Sequence, residues 1–134
     1  MKKNSPMLFI ITFIVSLLLS NLAFALDIYI SSPPEGGSVN QRHNVIGGVS
    51  DPTAKIIIVV HPVSVSEFWT QPPVTVRNDG QWHVKAHFGR QEMDHGEEYE
   101  VRAYANPQSQ IIEGKYNSWP EAEARSNVVI VTRR

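Results

Sequence analysis

Five histidines and a cluster of carboxylates are the residues of this 134-residue chain with the most chemical reach. His83 and His87 fall on one face of an alternating stretch. Four residues of extended chain separate them, however, which puts their Cβ atoms ~13 Å apart. One ion cannot span that gap, so chelation would need a partner from a neighbouring strand, and His61 is the one obvious candidate. His43 and His95 sit in expected loops. The plainer reading is solvated strand-face histidines. Glu92, Asp94, Glu97, Glu98 and Glu100 offer oxygen ligands of the kind calcium takes. Their spacing matches no calcium loop, and Arg90 and Arg102 flank them, so a solvated acidic loop is the default. The motifs Gly-x-Ser-x-Gly and His-Glu-x-x-His do not occur, and neither does a phosphate-binding glycine loop. The absence of cysteine excludes thiol chemistry and Cys-ligated zinc. The chain is expected not to be an enzyme and to use no cofactor and no metal.

That leaves aromatic residues in irregular stretches as the candidates for binding. The segment from Gln108 to about Arg125 is too long for an ordinary connection and too apolar for a disordered linker, since it holds Ile111, Ile112, Tyr116, Trp119 and Pro120. Phe68 and Trp69 occupy a second stretch without clear periodicity, between Val63 and Pro73. Phe68, Trp69, Tyr116 and Trp119 are therefore the expected binding residues, as one flat recognition surface at an end of the fold. The competing reading makes Trp69 and Trp119 plugs over the ends of the core.

The elements that would position these residues are strands. Lys55-Ile56-Ile57-Ile58-Val59-Val60-His61-Pro62 has five β-branched aliphatic residues in succession, which predicts a strand buried on both faces and ended by proline. Leu26 to Ile30 alternates and predicts a first strand. Asn44 to Val49 predicts a second, with Gly47-Gly48 marking a bulge or the close approach of an aromatic ring from the facing sheet. Val74 to Arg77 leads into a hairpin turn at Asn78-Asp79-Gly80. The returning strand puts Trp82, Val84, Ala86 and Phe88 on its core face. Tyr99, Val101, Ala103 and Ala105 line the inner face of another strand, with Tyr104 outward, and Asn127 to Thr132 is the last. Seven to eight short strands without a convincing helix predict an all-β antiparallel sandwich over residues 26–134.

Residues 1–25 are set apart. A basic start at Lys2-Lys3, an apolar run from Met7 to Leu19 and Ala23-Phe24-Ala25 predict a signal peptide cleaved before Leu26. The rest is then periplasmic or secreted, with no membrane insertion after cleavage. The net charge is −1 with signs interleaved, and no basic stripe points to nucleic acid.

Residues 26–134 resemble bacterial immunoglobulin-like and fibronectin-type-III-like domains. Ser32-Pro33-Pro34-Glu35-Gly36-Gly37 resembles their Ser-Pro-x-x-Gly entry, and Val45-Ile46-Gly47-Gly48-Val49 their second strand. Asn78-Asp79-Gly80-Gln81-Trp82 is similar to their Asp-Gly-x-Trp hairpin, and Gly96 to Ala105 to their penultimate strand. The resemblance implies an Ig-like sandwich, a fold that hosts adhesins, chaperones, sugar binders and spacers alike. The expected function is a non-catalytic exported module that binds an envelope or extracellular protein. The alternative is a carbohydrate-binding module that stacks a glycan on its exposed aromatics.

Overall fold

The computed structural model describes residues 25–134, which leaves residues 1–24 of the expected signal segment outside the described residues. Those described fold as eleven strands in two sheets, without a helix. In the smaller sheet, β1 (Ile28–Ser32), β3 (Arg42–Val49), β7 (Gln81–His87) and β6 (Thr75–Val76) are hydrogen-bonded in that order. The larger sheet runs β2 (Ser38–Val39), β11 (Val129–Arg133), β8 (Glu98–Pro107), β4 (Ile56–Pro62), β5 (Phe68–Thr70) and β9 (Gly114–Tyr116). Its seventh strand, β10 (Ala122–Arg125), pairs with the second half of β8. All pairings are antiparallel except β2 with β11.

The main core lies between the sheets, and alternation determines who enters it. Trp82, Val84 and Ala86 on β7, then Phe88 just past its end, are buried as their period-two spacing predicts. Tyr99, Val101, Ala103 and Ala105 on β8 face them, with Tyr99 edge-on to Phe88 at 5.6 Å between ring centres. The hairpin between β6 and β7 turns at Gly80, whose φ of 88° only glycine adopts readily. Asp79 Oδ1 accepts the Gln81 amide at 3.0 Å and fixes the turn.

Strand β4 is buried on both faces, for a reason the residues of β4 do not contain. Ile56, Ile58 and Val60 enter the main core. Ile57 and Val59 point the other way and form a second, smaller core with Tyr104, covered by Phe68, Ile111, Trp119 and Ala122. The stretch expected to be irregular from Gln108 to Arg125 is thus a strap that carries β9 and β10 across the outer face of the larger sheet. Tyr104 does face away from the main core, but it is buried beneath this strap rather than solvated. Burial pushes its phenol up to about 12, against the opposing pull of Arg102 and Arg125.

The count exceeds the expected seven to eight strands because several are only two to four residues long, below the length at which periodicity registers. The glycine pair also differs from expectation. Gly47 lies beneath Trp82, its partner across β3 and β7, and Gly48 beneath Tyr29, its partner across β1 and β3. Both rings come from neighbouring strands of the same sheet, not from the facing one. A Cβ on Gly47 would stand 2.8 Å from Trp82 Cε2, and one on Gly48 would stand 2.8 Å from Tyr29 Cε1. The glycines are the space the rings occupy.

Candidate functional site

The larger sheet extends past the smaller one on one flank. There the smaller sheet ends in the two-residue β6, while β5 and β9 continue beyond β4. Their inner face therefore has no sheet opposite it, and a groove of about 710 Å³ opens between the layers. That volume is in the range of small-ligand and peptide sites.

Trp69 is the principal side chain of the groove. It pairs with Val60 across β4 and β5, which puts it on the core-facing side of the sheet, yet it remains 41% exposed. Val65, Pro62 and Tyr99 extend the apolar wall, and Glu67, Glu97 and Glu113 supply charge around it. Gln71, itself buried, holds the base together. Its Nε2 donates to the Trp69 carbonyl at 3.1 Å and its Oε1 accepts the His87 amide at 2.7 Å, so β5 is tied to the end of β7.

The far wall is the loop after β7. Asp94 accepts hydrogen bonds from the Arg90 amide at 2.8 Å and from Arg90 Nε at 3.2 Å, and Arg90 Nη2 lies 3.2 Å from its other oxygen. Those bonds hold the Asp94 carboxyl below the usual carboxylate range and raise the Arg90 guanidinium above its own. Beneath them, buried Arg133 donates from Nη1 to the carbonyls of Phe88 and Arg90, at 2.8 and 3.0 Å. The Tyr99 hydroxyl packs over Gly89 beside Asp94. Its phenol is pushed up to about 12, mainly by burial and then by the negative charges of Asp94 and Glu97.

The lowered Asp94 carboxyl has a consequence for pH. Its stabilising contribution is complete above the ordinary carboxylate range and is lost as pH falls through its folded value. Asp94→Asn is therefore expected to flatten the acid limb of the stability curve. Urea midpoints taken across the carboxylate range check this, and an unchanged limb would show that the Arg90 contact carries no weight.

The four aromatics expected to share one surface are divided by the strands that carry them. Phe68 precedes Trp69 on β5 and so points to the opposite face. There it stacks on His61 at 4.0 Å with the planes 5° apart, and Trp119 meets it edge-on at 4.8 Å. Trp119 also lies edge-on to His61 and tilted against Tyr104, which makes it a plug over the smaller core. Tyr116, opposite Phe68 on β9, bonds its hydroxyl to Ile112 N and O at 3.2 and 3.0 Å and closes the tip of the strap. Of the four, Trp69 alone faces the groove.

Neither ligand cluster considered from the sequence assembles. His61 lies on the outer side of the larger sheet, where its Nδ1 meets the Glu67 carbonyl at 2.9 Å and its Nε2 lies 3.9 Å from Glu100. His83 pairs with Ile46 in the smaller sheet and faces out on the opposite side of the molecule. In the acidic stretch Asp94 is bound to Arg90, and Glu97 accepts a hydrogen bond from Ser64. Among the described residues no three His, Cys, Asp or Glu side chains converge on one point. Glu67, Glu113 and Tyr99 of the groove carry no signal for binding in the sequence, and Glu97 only that of a calcium-type acidic stretch, because β5, β9 and the start of β8 meet only in space. No family model, no curated protein and no solved structure matches this chain.

Proposed function

We propose that the protein is an exported, non-catalytic module of Ig-like type that binds a protein partner in the cell envelope through the groove at Trp69. The observation that carries this reading is the placement of Trp69. It stands on the core-facing side of a sheet, where aromatics are ordinarily covered, and it remains 41% exposed because the opposite layer stops short. A large aromatic left open in a groove beside a sheet edge is the kind of anchor on which protein interfaces concentrate their binding energy. The terminal strand β9 adds unpaired backbone groups along the same flank, the feature strand-addition partners use. Export rests on the basic start, apolar run and Ala23-Phe24-Ala25 of the leading segment, and the destination is the periplasm or the medium.

Capture of an envelope protein by the tagged chain is expected to fall at least about tenfold for Trp69→Ala and to be unchanged for Tyr29→Ala, on the far side of the smaller sheet. Equal loss in both variants, or in neither, defeats the reading. A glycan is the second reading, supported by the amide and carboxylate groups that surround the indole in the groove. It predicts tryptophan quenching by neutral oligosaccharides that added salt leaves unchanged.

A further inference from the structure

We propose that the groove takes a cationic, extended segment of its partner, with a lysine or arginine head group laid on Trp69 among Glu67, Glu97 and Glu113. The proposal rests on the groove being the partner site and specifies the chemistry of what enters it.

Charge is the first ground. Four carboxylates line the groove, those of Glu67, Asp94, Glu97 and Glu113, against Arg90 and His87 in the lining and the buried Arg133 guanidinium beneath the same loop. Arg90 and Asp94 are closed on each other and cancel. Lys115 reaches Glu67 from the rim at 3.7 Å, but both side chains are about half exposed, and such a pair gives way readily to another cation. Glu97 accepts only the neutral hydroxyl of Ser64. The groove is left with an excess of negative charge focused between low-dielectric walls.

Trp69 is the second ground. An indole face is the best aromatic surface for an ammonium or guanidinium, and a partly desolvated groove strengthens that attraction. Tyr99 is the third and is independent of charge. It is 2% exposed yet lines the groove, so its ring floors the site with apolar surface. Such a floor packs the methylene stem of a lysine or arginine whose head group reaches the carboxylates. A neutral sugar would use Trp69 and Tyr99 but leave the carboxylates without a counter-charge. Nucleic acid or an acidic peptide would be repelled.

The test titrates the folded protein with a decapeptide of lysine and, separately, with one of glutamate, at about 20 mM and about 300 mM salt. The readout is the anisotropy of a fluorescent label carried on the peptide, which needs no tryptophan in the protein. The lysine peptide is expected to bind, to weaken about tenfold or more at the higher salt, and to be lost in Trp69→Ala. Glu97→Gln with Glu113→Gln should weaken it about tenfold, whereas Glu121→Gln, outside the groove, should not. Absence of lysine-peptide binding overturns the proposal. So does equal binding of the glutamate peptide, or indifference to the Glu97 and Glu113 substitutions. An envelope partner captured through Trp69 that the lysine peptide fails to displace would overturn the cationic assignment and leave the groove reading standing. Capture indifferent to Trp69 would remove both.

Discussion

Gly47→Val is expected to cost about 3 kcal/mol or more and to leave the domain close to unfolding. The new side chain would meet two things that cannot yield cheaply. One is the backbone carbonyl of Tyr29, fixed by the pairing of β1 with β3; the other is the ring of Trp82, among the largest fully buried side chains. Moving either separates strands or reopens the main core. Gly48→Ala supplies the contrast. Its new methyl would meet the end of the Tyr29 ring, and Tyr29 is 53% exposed and free to swing aside, so the cost should be about 1 kcal/mol or less. Urea midpoints for the pair decide the matter. Similar midpoints would mean that the ring-over-glycine packing of the smaller sheet is not what holds it.

The second large effect separates the two tryptophans that sequence reasoning grouped together. Trp119→Ala should destabilise by about 2–3 kcal/mol, somewhat under the range for a fully buried aromatic because Trp119 keeps one side in solvent. It should also uncover Ile57, Val59 and Tyr104, which Trp119 covers with Phe68 and Ile111, and so raise the binding of a hydrophobic dye. Trp69→Ala should cost under about 1 kcal/mol and leave dye binding unchanged, because no facing layer packs over the ring. A larger loss from Trp69→Ala than from Trp119→Ala would reverse the assignment of plug and open face.

These contrasts trace how far the sequence could be read. The burial of β4 on both faces was legible in Ile56 to Val60, since an uninterrupted β-branched run has no solvated side. What covers its outer face was not. The strap's contribution comes from single residues, Ile111, Trp119 and Ala122, separated by polar stretches that no period connects. The hairpin at Asp79-Gly80 and the core face of β7 were legible because both are local: one needs a positive φ and the other needs alternation. The site was only half legible. An aromatic pair in a stretch without clear periodicity is legible at Phe68-Trp69, but the separation of the two follows from β5 being a strand, and three residues between a broken stretch and Gln71-Pro72-Pro73 carry too little pattern to show it. The carboxylates of the groove come from three elements far apart in the chain. Only the pairing of β5 with β9, and the closure of the loop after β7 by Arg90, Asp94 and Arg133, bring them together.

On the proposed function, the open flank at Trp69, and not the outer face of either sheet, meets the partner. The most direct test places a photo-crosslinking amino acid at position 69, at 29 on the smaller sheet, or at 112 on the strap over the larger one, where Tyr29 and Ile112 are both exposed. Irradiating cells that express each variant is predicted to give a discrete adduct from position 69 and none of comparable yield from 29 or 112. A dominant adduct from either outer face, with position 69 silent, would contradict the account.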